Sequence, residues 1–260
     1  MAVGLRKDFV SMHEHEVLAT LCGLGFDEAD ARTLADHFLD AERRGKTGHG
    51  LSRVEWLATR PFELDPSARP QRVLDAPGYQ RWDGNGALGY LTLAAIVEAQ
   101  LAEPPDHARL VVAQRSFPTG MLGYWGRKLA EGGLVATLTA TSPARLGHPH
   151  GGPKLAGTNP LAIAIPASDG EPLVSDVSMG RVTYGEVLAG EAAEDELVPF
   201  GGEHAHKAFA LAVGLQLLVD SLVAEPGHGA VLLVANPEAD PLPRLRRLAS
   251  AAGVRLPGQS

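Results

Sequence analysis

The stretch Gly151-Gly152-Pro153-Lys154-Leu155-Ala156-Gly157-Thr158-Asn159-Pro160 runs into the short apolar segment Leu161 to Pro166. Its glycines permit close approach of backbone to a ligand, and Thr158 and Asn159 place donors just before a buried strand. No dinucleotide fingerprint is expected after a strand: the spacing of Gly84, Gly86 and Gly89 is read as wrong for one and better explained by an acidic hairpin turn, and there is no Walker loop. Standard dinucleotide and P-loop folds therefore lose support. An ordinary tight loop would have the same composition, so the neighbouring segments must decide.

Upstream, Val17, Leu18, Leu21, Leu24, Phe26, Leu34, Phe38 and Leu39 recur at helical spacing between His13 and Arg44. Gly23 and Gly25 break the run, and Asp27 can cap the second helix. A further helix is expected from Leu51 to about Thr59, and Pro61, Pro66 and Pro70 mark a loop. Gln71 to Trp82 alternates weakly and ends in the turn signal Asp83-Gly84-Asn85-Gly86. Leu88 to Leu101 and Gly120 to Glu131 read as helices, Leu110 to Ala113 and Leu134 to Ala140 as strands. Downstream, strands are expected at Leu161 to Pro166, Leu173 to Val177 and Gly229 to Ala235. A long apolar helix, Ala205 to Val223, and an amphipathic one, Leu242 to Ala252, complete the chain. Helices at the ends and strands in the middle suggest α/β or α+β, not a regular doubly wound sheet.

The 260 residues carry a formal net charge of −8, which argues against a nucleic-acid partner, since a phosphate backbone needs a clustered basic face. The single cysteine, Cys22, rules out an intrachain disulfide framework and fits a reducing compartment. Met1 to Val10 is charged and lacks an apolar core segment. Ala208 to Val223 contains Gln216 and Asp220 and is read as too short to span a bilayer. A cytoplasmic protein without membrane attachment is expected.

The chemistry concentrates in Gly45-Lys46-Thr47-Gly48-His49-Gly50-Leu51-Ser52-Arg53. It sets an imidazole and a guanidinium four residues apart at a glycine-softened bend. The imidazole can deliver a proton to a developing oxyanion, and the guanidinium fork matches a carboxylate. A solvated helix end would account for the same pair. The His-x-His pairs His148/His150 and His204/His206 lie in loops or at a helix start, and no metal site is expected from them. Gly201-Gly202-Glu203-His204-Ala205-His206-Lys207 opens the long apolar helix and could hold a phosphate.

In order, the chain also shows Ala41-Glu42-Arg43-Arg44-Gly45, Gly48-His49-Gly50-x-x-Arg53, Asp83-Gly84-Asn85-Gly86-x-x-Gly89 and Gly120-x-x-Gly123-Tyr124. Gly151-Gly152, Gly157-Thr158-Asn159-Pro160-Leu161-Ala162-Ile163 and Pro172-Leu173-Val174-Ser175-Asp176 follow. Gly201-Gly202, His206-Lys207-Ala208-Phe209-Ala210-Leu211 and Leu256-Pro257-Gly258 end the series. Nearly end to end, this resembles the type 2 malate/L-lactate dehydrogenase family, whose relatives include sulfolactate and ureidoglycolate dehydrogenases and reductases of cyclic imino acids.

The resemblance implies a non-Rossmann NAD(P)-binding central domain with a mixed or antiparallel sheet, at 71–235. It implies a helical, dimerising domain from both termini, at 1–70 and 236–260, and a homodimer. His49 would be the proton donor and Arg53 the substrate-carboxylate clamp, with Thr47 as a possible orienting hydroxyl. Thr158, Asn159 and His150 are assigned to the substrate, and Gly120, Asp176, Ser178, His206 and Lys207 to the cofactor, NADH or NADPH. Three departures stand out. Gly48 replaces the family's serine, Pro118-Thr119-Gly120 replaces its His-Phe-Gly, and Lys207-Ala208-Phe209-Ala210 replaces its Lys-Gly-Tyr-Gly. The chain is also shorter between Gly185 and Gly201 and between Val223 and Gly229. The leading expectation is a reductase of a C=O or C=N beside a carboxylate. A cofactor-independent dehydration, cyclisation or decarboxylation on the same scaffold is the alternative, and a catalytically silent binding subunit a third.

Overall fold

The structure, a computed structural model, describes residues 13–59, 64–224 and 226–258; Met1 to Val10 and Pro61 lie outside them. Two helices open it, α1 (Glu14–Gly23) and α2 (Glu28–Arg43). The Asp27 carboxylate caps α2 by accepting from the Asp30 amide at 2.9 Å, satisfying a donor that the first helical turn leaves free. A 3-10 turn, Thr47–His49, then leads into α3 (Ser52–Thr59).

The expected strand from Gln71 to Trp82 is two, β1 (Gln71–Ala76) and β2 (Tyr79–Asp83), folded back at Gly78, whose φ of +75° suits a tight turn. Next come α4 (Gly89–Ala102), β3 (Ala108–Gln114), α5 (Leu122–Glu131) and β4 (Val135–Ala140). The glycine-rich loop holds a small pair, β5 (Leu146–Gly147) and β6 (Lys154–Ala156), before β7 (Leu161–Ile165) and β8 (Leu173–Val177). A short helix that patterning did not anticipate, α6 (Tyr184–Ala189), precedes α7 (Ala205–Leu222), β9 (Ala230–Ala235) and α8 (Leu242–Ala252).

Seven strands form one sheet in the order β1-β2-β3-β9-β4-β7-β8. Only β2 and β3 run parallel; the other neighbours are antiparallel. Strand β9, late in the sequence, fills the centre. Its Leu232 and Val234 face the main core with Ala136, Leu138 and Ala162, against Phe38 of α2, Ile96 of α4 and Trp125 of α5. On the opposite face Val231 packs with Val112 and with Val219 of α7. That side is only partly covered, and Leu233 remains 48% exposed.

Two readings of the sequence need correction. Gly84-Asn85-Gly86-Ala87-Leu88-Gly89 does have the glycine spacing of a dinucleotide fingerprint. It follows β2 and opens α4, and β2 and β3 are parallel, so it lies in a β-α-β unit. Two of its glycines are used in packing: a Cβ on Gly89 would lie 2.7 Å from the Pro118 carbonyl oxygen, and one on Gly84 would strike the Arg115 carbonyl. The Asp83 carboxylate accepts the Asn85 amide at 2.7 Å, and Gly86, at φ +89°, meets only the Ala68 side chain. The second correction concerns the apolar helix. With its preceding 3-10 turn it extends over Gly202–Leu222, 21 residues, enough by length and composition to cross a bilayer. Here Ala208, Ala212 and Val219 are buried, Ala212 beside Leu146 and Met179 and Val219 against the sheet.

The C-terminal segment lies on the β7–β8 hairpin. Arg246 of α8 pairs with Asp169 and donates to the Glu171 carbonyl, and Asp240 accepts from the Ser168 amide and hydroxyl.

Candidate active site

Gly45, at φ +67°, ends α2, and the Lys46 amide closes that end on the Ala41 carbonyl at 2.8 Å. The glycines either side of His49 are demanded by packing. A Cβ on Gly50 would run into the Glu42 carboxylate, which accepts the Leu51 amide. One on Gly48 would lie 2.6 Å from the Glu186 nitrogen and 2.8 Å from the Gly185 carbonyl carbon. The 3-10 turn is thus seated directly on α6, which leaves no room for a serine side chain at position 48. Helix α6 carries its own capping box: Thr183 Oγ1 accepts the Glu186 amide, and Glu186 accepts the Thr183 amide at 2.6 Å.

Under this contact a cavity of about 450 Å³ opens between α3, α6, the start of α5 and the ends of β4 and β8. His49, Arg53, Thr47, Gly120, Thr158, Asp176 and Ser178 all line it. Arg53 is only 9% exposed. Its Nε donates to the Gly48 carbonyl at 2.8 Å, and its guanidinium lies over Trp56 at 5.4 Å. No carboxylate of the described residues pairs with it. Burial pulls its pKa below the usual arginine value, and Tyr90 and Tyr184 act in the opposite direction. A buried guanidinium stays charged, so the cavity presents an uncompensated cation that suits a ligand anion.

His49 is half-buried, and its Nδ1 is shut from solvent with no hydrogen-bond partner. Burial, then the Arg53 charge, then His37 and Lys46, push its pKa down to about 3. The ring is therefore neutral at neutral pH while the cavity holds no anion. Behind it lies a second imidazole that the sequence reading missed. His37 is fully buried, accepts the Met121 amide at Nε2 (2.9 Å), and stacks on Trp125. Burial holds it at about 3 as well. Gly120 closes over this ring, since any Cβ there would strike Tyr90 and His37. Asp176 accepts the Gly123 amide at 2.7 Å, and burial raises its pKa.

Other assigned residues stand differently. The Thr47 hydroxyl donates to Glu191 at 2.6 Å, so it is committed away from His49. Asn159 is fully buried and donates to the Ala212 carbonyl and Gln216; it ties α7 to the glycine-rich loop and does not line the cavity. His150, His206 and Lys207 are exposed outside the lining. The described residues contain no group of three or more metal-ligating side chains. Patterning also missed Lys46, Tyr90, Arg145, Tyr184 and Glu191 of the lining. The Thr183-x-x-Glu186 capping box was a legible signal for α6; Arg145 had none.

Residues 11–197 match the malate/L-lactate dehydrogenase family, and the chain belongs to it. It is 33% identical over 197 residues to a (2R)-3-sulfolactate dehydrogenase (NADP(+)) of Chromohalobacter salexigens, covering 74% of this chain and 59% of that protein. It is 31% identical to a Delta(1)-pyrroline-2-carboxylate/Delta(1)-piperideine-2-carboxylate reductase of Pseudomonas putida, covering 78% of this chain and 67% of the other. Against a malate dehydrogenase of Pyrococcus horikoshii it spans 48% of that protein's length. The fold matches a crystal structure of delta1-piperideine-2-carboxylate reductase from Pseudomonas syringae pvar. tomato, with TM-score 0.80, 24% identity, and 94% and 89% of the two chains covered.

Two outcomes follow. His37 and His49 each take up a proton on unfolding between about pH 6.5, the usual histidine value, and about 3. Their contribution is complete above pH 6.5 and is lost as pH falls. Denaturant midpoints measured from pH 7.5 to 4.5 should decline, and His49→Gln should flatten the slope; an unchanged slope would refute the buried neutral state. Gly48→Ser should push α6 off the turn. Hydrogen exchange should then rise across 184–189 and Tm should fall, whereas protection equal to wild type would contradict the close contact.

Proposed function

We propose that the chain is a nicotinamide-dependent reductase acting on a C=O or C=N next to a carboxylate, with NADH or NADPH as hydride source. One observation carries the reading: Arg53, buried and without a carboxylate partner among the described residues, lines one cavity with His49. Arg53 holds the substrate carboxylate through its guanidinium fork. The anion also offsets the Arg53 part of the depression of His49, the smaller part beside burial, and so favours uptake of a proton from solvent by the ring. The imidazolium then gives that proton to the substrate heteroatom and returns to the neutral ring. Apolar Met121, Leu122 and Ala140, with the hydroxyls of Thr158 and Ser178, line the wall and fit a flat carboxamide-bearing ring. A nicotinamide bound there would supply the hydride. Closing the cavity fixes the reacting groups in position, a large share of the rate for such steps.

The exposure of His206 and Lys207 outside the cavity favours a second reading, cofactor-independent chemistry by the same His49–Arg53 pair. Millimolar NADH or NADPH should raise Tm, as any ligand of the native state does, and oxidation of the reduced cofactor should require a 2-oxo or cyclic imino acid. His49→Ala and Arg53→Ala should each lower kcat/KM at least about a hundredfold. Absence of any nicotinamide effect, together with cofactor-free turnover that His49→Ala abolishes, would replace the first reading by the second.

The chain is further proposed to work as a homodimer. Leu211, Leu217 and Leu218 of α7 are about half exposed, Leu217 at 59%, and apolar side chains left exposed on one helix suit a partner surface. Light scattering should give twice the chain mass, and Leu217→Glu should return it to one; a monomeric wild type would remove the proposal.

A further inference from the structure

The cavity contains a second guanidinium that the proposed reaction does not use. Arg145 sits in the loop between β4 and β5 and lines the cavity with Arg53. Its backbone is fixed: the Arg145 amide donates to the Ala156 carbonyl at 2.8 Å, and the next residue, Leu146, is fully buried. The guanidinium carbon stands 3.3 Å from the centre of the Tyr184 ring. Among the described residues it pairs with no carboxylate.

Tyr184 and Gly185 join the two cations. Arg145 stacks on the Tyr184 ring, and a Cβ on Gly185 would lie 2.5 Å from Arg53 Nη2. Tyr184 is itself among the groups that act electrostatically on Arg53. Two guanidiniums thus flank consecutive residues of α6, whose Cα atoms are about 3.8 Å apart. The acidic groups of the same cavity are engaged elsewhere: Glu186 caps Thr183, Glu191 accepts from Thr47, and Asp176 accepts from Gly123. Stacking leaves the edge donors of a guanidinium free to bind an oxyanion, and two such forks in one cavity suit two anionic groups on one small molecule.

Building on the carboxylate role of Arg53 in the proposed reaction, we infer that Arg145 forms a second anion subsite. It selects substrates that carry a further carboxylate or sulfonate beyond the one beside the reacting carbon. Tyr184 holds the Arg145 guanidinium in plane, and the two cations together reject substrates with an apolar tail by leaving Arg145 unpaired in the closed site.

The probes are oxaloacetate and 2-oxobutyrate, which share a four-carbon chain and differ in the distal carboxylate, each titrated with wild type, Arg145→Gln, Arg145→Lys and Arg53→Gln. Wild type should bind oxaloacetate at least about tenfold more tightly, the value of one good charge-assisted hydrogen bond. Arg145→Gln should abolish that preference by weakening oxaloacetate far more than 2-oxobutyrate, and Arg145→Lys, which cannot stack as a planar fork, should restore it only in part. Arg53→Gln should weaken both probes. Equal wild-type affinity for the two, or equal loss of both in Arg145→Gln, overturns the second subsite and leaves the proposed reaction standing. If Arg145→Gln weakens NADPH but not NADH and keeps the oxaloacetate preference, the oxyanion is the cofactor's phosphate and the inference fails. If Arg53→Gln changes neither probe, the carboxylate role of Arg53 fails and this inference with it.

Discussion

The backbone contact between Gly48 and Gly185 governs the rest of the site. It brings the 3-10 turn bearing His49 onto α6 with no side chain between them, since a Cβ on either glycine would meet backbone of the other segment. The Gly48 carbonyl is simultaneously the acceptor for Arg53 Nε. One close approach therefore seals Arg53 from water, carries Tyr184 into the cavity wall and shuts solvent from His49 Nδ1. Interiors this tightly packed do not absorb an added methyl group without displacement.

Sealing a cation away from water is costly, of the order of several kcal/mol for an unpaired charge. The Gly48 carbonyl and the Trp56 face offset part of that cost. What remains is a buried cation whose partner, in the proposed reaction, is the substrate carboxylate. Burial, and after it the Arg53 charge, depress the His49 pKa, so that reaction would couple anion binding to proton uptake through a single pair of side chains. His37 supports the arrangement from behind by fixing the Met121 amide at the start of α5.

Much of the fold was legible locally. The helical spacing from Val17 to Leu39, the Asp27 cap and the Leu242 to Ala252 helix have their periods and caps within a few residues, and the structure has them close to where patterning put them. The central position of β9 was not legible, because a strand's neighbours are chosen by long-range pairing that no local period records. The fingerprint spacing at Gly84 to Gly89 shows the opposite limit. A motif in the right strand-to-helix context serves chain packing here, with backbone of residues 115–118 lying against Gly84 and Gly89.

By itself the sequence determined the family, the mixed helical and strand composition, and the His49–Arg53 pair, since these depend on residue order and on chemistry four positions apart. Only the tertiary structure decided which of the assigned residues share one cavity. Asn159 is consumed in holding α7, Thr47 is taken by Glu191, and His150, His206 and Lys207 stay outside. It also brought in Arg145, Tyr184 and His37. The reason is physical: pairing and burial of a polar side chain are set by segments far away in sequence, and these determine whether its charge is spent on the protein or left for a ligand.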